Sequence, residues 1–150
     1  MEDKQNKYIE IVHKLKILST LREHDRVQTR SGLFVARSTA VLQGVSRWFS
    51  NETRQKNIEA ITKIIREALS LCKSELSARR ELLRGDDSLL LLKNSQVLKR
   101  LKTEISYAMI GVLNLKTTYS ADSHTCSKIE IIHEFVEDEL EQIDLEIKNN

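Results

Sequence analysis

Apolar residues recur at spacings of three and four along most of this chain, the period of a helix that buries one face. Tyr8, Ile11, Leu15 and Leu18, with Val12 and Leu21 beside them, predict a helix over 3–23. Ile58, Ile61, Ile65, Ala68 and Cys72, with Leu69 and Leu76 adjacent, predict a second long helix over 52–84. A third, over 95–119, follows from Leu98, Leu101, Ile105, Ala108, Val112, Leu115 and Tyr119. The fourth stripe is Cys126, Ile129, His133, Val136, Leu140, Ile143 and Ile147, which predicts a helix over 123–147. A shorter stripe of Val41, Val45 and Trp48, widened by Leu42 and Phe49, predicts a short helix at 38–49.

The punctuation between these stripes is polar. "EHDRVQTRSG" (23–32) ends the first pattern with turn-forming residues and a glycine. Ser38 or Thr39 caps the short helix, and Ser50 or Asn51 caps the next. Arg79, Arg80 and Arg84 suit the C-terminal end of the 52–84 helix, and Gly85 suits the position just beyond it. "GDDSLLLLKNSQ" reads as a break, in which Asp86 or Asp87 caps a short helical turn through Leu89–Leu92 before the long helix starts at 95. "SADS" (120–123) is a turn with a cap. The expectation is an all-α fold: a single domain over 1–150, a bundle of four principal long helices with one short extra helix. Helices of about 25 residues joined by so short a turn predict a C-terminal antiparallel hairpin.

Composition supports helix. Proline is absent and glycine occurs only four times. With 40% hydrophobic and 31% charged residues, the chain is too apolar for disorder and too charged for a membrane protein. No run of about 18 apolar residues is present, so no transmembrane segment is expected. "MEDKQNKYIE" lacks the apolar centre of a secretion signal. Cys72 and Cys126 make no disulfide framework, which favours an intracellular, reducing compartment.

The net charge of +2 hides an asymmetry. Residues 1–85 carry 17 basic and 10 acidic side chains, whereas residues 129–150 carry 1 and 8. Either the acidic last helix lies beside a basic one, or the two ends attract opposite partners, another copy included.

Catalytic chemistry finds little support. Of His13, His24, His124 and His133, only His124 has a nearby Cys, Cys126 two residues on; there is no second Cys/His pair, and no HExxH or CxxC occurs. Phosphate-cradling glycine loops and nucleophile elbows are also missing. No metal site, cofactor or catalytic residue is therefore assigned, and the chain reads as non-enzymatic.

The one unusual stretch is residues 30–61, "RSGLFVARSTAVLQGVSRWFSNETRQKNIEAI", where aromatic residues and arginines gather. In the plainest reading Leu33, Phe34, Trp48 and Phe49 plug one end of the bundle. In a second, Phe34, Arg47, Trp48, Phe49 and Arg54 form a contact with a protein partner or with another copy, since Trp and Arg are frequent interface anchors. In a third, Arg22, Arg26, Arg30, Arg37, Arg47 and Arg54 bind phosphates of nucleic acid or another anionic surface. Glu23, Asp25 and Glu52 dilute that charge.

The strings "LQGVSRWFSNETRQKNIEAI" (42–61) and "GVLNLKTTYSAD" (111–122) resemble patterns in small helical proteins encoded by large DNA viruses. The resemblance covers about a fifth of the chain and carries no binding or catalytic residue. It implies a structural component of a virion or other large assembly, or a host-interaction component in an infected cell, rather than an enzyme. The leading expectation is a helical scaffold or protein-interaction module, with nucleic-acid or anionic-surface binding through 22–54 as the alternative.

Overall fold

The computed structural model describes residues 2–20, 51–118 and 122–149. Within them the chain is all-α, with four helices and no strand: α1 (Glu2–Ser19), α2 (Asn51–Arg84), α3 (Ser88–Thr118) and α4 (Ser123–Asn149). The short helix expected at 38–49 lies outside the described residues.

Each helix turns its predicted stripe toward one core, with Tyr8, Cys126, Leu140 and Ile147 only partly buried and Tyr119 outside the described residues. Ile11, Leu15 and Leu18 of α1 meet Ile58, Ile61, Ile65, Ala68, Cys72 and Leu76 of α2 in one continuous apolar core. Leu98, Leu101, Ile105, Ala108, Val112 and Leu115 of α3 join them, as do Ile129, Val136 and Ile143 of α4. The periodicity overlooks Leu71, Met109 and Ile132, which are also buried. α2 and α3 are the central pair: both touch α1, both touch α4, and among the described residues α1 and α4 do not meet.

Two boundaries and one cap differ from expectation. The spacing predicts a first helix that reaches residue 23, but α1 ends at Ser19. The Ser19 hydroxyl donates to the Lys16 carbonyl at 2.7 Å and the Thr20 hydroxyl to that of Ile17 at 2.6 Å. The Thr20 amide is shared between the Lys16 and Ile17 carbonyls at 3.3 and 3.2 Å, the tightened bonding of a last turn. Gly85 follows α2 as predicted, yet its backbone is not left-handed, so it is not the glycine cap that such a position often supplies.

The third difference is larger. The break expected between Leu92 and residue 95 does not exist, and α3 is continuous from Ser88. Asp87 caps it, its Oδ1 accepting the Leu90 amide at 3.1 Å. The polar residues that suggest a break bond sideways to α2. Asn94 Nδ2 donates to the Glu75 carbonyl and to Glu75 Oε2, both at 2.9 Å, and Arg79 Nη1 donates to Ser95 Oγ at 2.9 Å. A side chain engaged with a neighbouring helix does not compete with its own backbone.

One glycine sets the spacing of α1 and α3. A Cβ on buried Gly111 would press into the Leu18 carbonyl oxygen and lie 3.1 Å from Ser19 Cα. The two backbones therefore touch where α1 ends, an approach that only glycine permits.

Candidate functional site

Charge organises how α4 lies on its neighbours. Lys73 of α2 meets Glu139 at 3.0 Å, and Arg80 meets Glu146. Lys116 of α3 meets Glu130 at 2.6 Å, and Lys102 meets Asp144. The acidic last helix thus lies beside basic helices, the simpler of the two explanations for the charge asymmetry. The hydrogen bond and charge of Lys116 hold the Glu130 carboxyl below its ordinary pKa.

These ion pairs close only part of the seam between α2 and α4. Beyond Lys73, toward the start of both helices, the seam opens into a groove of about 300 Å³. Ile58, Ile65 and Ile132, all buried, sit at its base. Ile131 and Phe135 stand at its edge, 65% and 41% exposed. Thr62 lines it too, its hydroxyl tied to the Ile58 carbonyl at 2.7 Å. Arg66 marks one rim and Lys128 the other. Lys128 donates to Gln55, and neither cation has an ion-pair partner among the described residues.

The groove is apolar below and cationic above. Its lining offers apolar side chains, one threonine hydroxyl and two cations. The rim suits a ligand that brings apolar side chains together with carboxylates. A second cavity of about 540 Å³ lies across Arg66, lined by Lys7, Glu59, Lys63 and Glu67. Its charges are mixed, which gives it no preference for an anion.

A second cluster links α1, α2 and α3. Glu75, Asn94 and Glu104 are buried polar residues, and Arg100 reaches Glu104 at 3.1 Å. Burial raises the Tyr8 phenol above its ordinary pKa, opposed by Arg100 and aided by Glu104 and Glu75. Burial likewise pushes the Cys72 thiol up to about 12, with Lys102 opposing and Glu75 adding. A thiol so placed stays protonated at neutral pH and is a poor nucleophile. Neither Cys72 nor Cys126 is in a disulfide, and the Cys126 thiol donates to the Lys116 carbonyl at 3.6 Å.

The residues singled out from sequence fall elsewhere. Phe34, Arg47, Trp48 and Phe49 lie outside the described residues, as do Arg22, Arg26, Arg30 and Arg37. Arg54 falls in the first turn of α2, and its side chain is outside the described part. Sequence reasoning missed the α2–α4 groove. Its signal was present: Ile131 and Phe135 are four apart and lie off the buried stripe of Ile129, Ile132, Val136 and Ile143. A second apolar stripe on one helix marks a second face to cover.

The stripe of α4 predicts His133 on the core seam. In the structure it is partly exposed, and its Nε2 lies 2.9 Å from Glu137 on the same helix. Among the described residues no group of three or more His, Cys, Asp or Glu side chains is placed to hold a metal ion. No helix among them is long and apolar enough to cross a membrane. Comparison with protein-family models, with curated proteins and with solved structures finds no match for this chain.

Proposed function

We propose that this chain is a helical protein-interaction module, a scaffold rather than an enzyme. The observation that carries the reading is the open end of the α2–α4 seam. There Ile131 and Phe135 are exposed above an apolar base, between two cations with no ion-pair partner among the described residues. Exposed apolar area framed by polar residues is the usual signature of a contact surface.

The architecture proposed with it is a single-domain four-helix bundle with a C-terminal antiparallel hairpin of α3 and α4. Its support is the order of the cross-links. Lys116 meets Glu130 and Lys102 meets Asp144, so the pairs advance along α4 as they retreat along α3. A bundle that presents one groove on a rigid pair of helices suits a scaffold, because little order has to be gained on binding. Membership of a viral or other large assembly is part of the proposal, supported by the resemblance of 42–61 and 111–122. The contact at Phe34, Arg47, Trp48, Phe49 and Arg54 belongs to the same reading.

The test compares the intact chain with the double variant Ile131→Ser, Phe135→Ser. Cross-linking and mass spectrometry would be run on each in extract of the cells that produce it. The reading expects one or more polypeptide partners whose attachment requires the two apolar side chains. If the double variant keeps every partner while its helix content is unchanged, the reading is wrong. Capture that instead falls steeply with added salt and follows nucleic acid would favour the alternative, since phosphate binding releases counterions.

A further inference from the structure

The exposed stripe of α4 has an internal symmetry of charge. Lys128, Ile131, Phe135 and Asp138 follow one another at spacings of three, four and three, which places them on one face of the helix. Read forward, these four positions run basic, apolar, apolar, acidic, with exposed Glu134 on the flank of the same face. Read backward, they run acidic, apolar, apolar, basic. Asp138 is exposed and, like Lys128, has no ion-pair partner among the described residues.

From this we infer that the occupant of the α2–α4 groove is a second copy of the chain, docked through its own α4 in antiparallel orientation. The inference rests on the interaction-module reading and names its partner. A two-fold axis midway between Ile131 and Phe135 sets Ile131 of each copy against Phe135 of the other. The same axis sets Lys128 against Asp138 of the second copy, and repeats that pair on the other side. The interface is isologous and closes on itself, so it yields a dimer rather than a filament. The parallel alternative would put Lys128 on Lys128 and Asp138 on Asp138, and like charges exclude it.

The α2 wall adds to the same surface. Arg66 rims the groove beside Ile131 and Phe135 and brings a second cation near the middle of the stripe. From Lys128 to Asp138 the stripe is about 15 Å long at 1.5 Å per residue. So short a stripe covers less than the patch of about 800 Å² per partner that a standard stable complex buries. The dimer is therefore a weak one, forming in the micromolar range of chain.

The charge symmetry gives a direct test by sedimentation equilibrium on the full chain, from low micromolar to near-millimolar concentration. The wild type is expected to pass from monomer to dimer. Lys128→Glu places two acids face to face, and Asp138→Lys places two bases face to face. Each single variant is expected to weaken self-association by about tenfold or more. An equimolar mixture of the two single variants restores one opposite-charge arrangement at each end only if the copies pair as acid with base, and is expected to form a heterodimer. The double variant carrying both changes is expected to pair with itself again. Circular dichroism would confirm unchanged helix content in every variant.

A wild type that stays monomeric throughout overturns the inference, and so does a dimer whose strength neither reversal alters. Failure of the mixture to associate overturns it equally. A monomeric wild type that still captures another polypeptide, by an attachment that Ile131→Ser, Phe135→Ser abolishes, would remove the second copy and leave the module reading standing. Absence of any groove-dependent partner would remove both.

Discussion

The close approach of α1 to α3 rests on Gly111. In an exposed helix position, Gly→Ala is favourable by about 1 kcal/mol through propensity alone. At Gly111 the added methyl meets the backbone of Leu18 and Ser19, which cannot swing aside as a long side chain would. Overpacking of that kind costs about 1–3 kcal/mol and outweighs the propensity gain. Gly111→Ala is therefore expected to lower the urea midpoint. It should also speed amide hydrogen exchange in α1 while α2, α3 and α4 keep most of their protection. Unchanged exchange in α1 would mean that the two backbones do not touch there. The buried pair of Asn94 and Glu75 shows the other residue-scale lesson. A polar residue beside an apolar run reads as a turn when only its neighbours in sequence are visible. Its partner lies 19 residues away on another helix, and no local pattern announces that bond.

At the scale of elements, the spacing of apolar residues located all four long helices and nearly all of their buried faces. Periodicity works here because each helix buries one stripe against its neighbours, which is the condition that creates the pattern. Ends were less legible, since they depend on single local bonds such as the Thr20 amide shared between the Lys16 and Ile17 carbonyls. The groove was not recognised because it needs two helices set side by side, whereas the stripe on α4 alone looks like scattered exposed residues. The continuity of α3 can be tested at its cap. Asp87 accepts the Leu90 amide, and its carboxylate also faces the positive end of the helix dipole. Asp87→Ala is expected to cost about 1 kcal/mol, with Asp87→Ser recovering most of it. The change should appear as a shifted urea midpoint at constant slope, with exchange increasing mainly over the first turns of α3. A loss spread evenly through α3 and α4 would instead mean that the two helices unfold only together.

For the molecule as a whole, charge decides how α4 is oriented on its neighbours. The apolar faces of α4 would adhere to any apolar surface, but the carboxylates Glu130, Glu139, Asp144 and Glu146 each meet a particular base on α2 or α3. Such partly exposed pairs contribute modestly one by one, yet together they fix orientation. Their dependence on pH has a definite sign. Lys116 lowers the pKa of Glu130 in the folded chain, so the unfolded chain binds a proton more readily there. The stabilisation is fully present above the ordinary carboxylate value of 4.5 and is lost as pH falls through the lowered folded value. Over the same range the chain loses its acidic charge while its 24 lysines and arginines stay positive, and the resulting self-repulsion acts in the same direction. The thermal midpoint is thus expected to hold steady from neutrality to about pH 5 and to fall below it. Lys116→Gln should flatten the Glu130 part of that fall, because the carboxyl would then titrate alike in both states. A midpoint that stays level down to the acid limit would mean that α4 is held by its apolar stripe alone. In that case the four ion pairs would be incidental to its orientation.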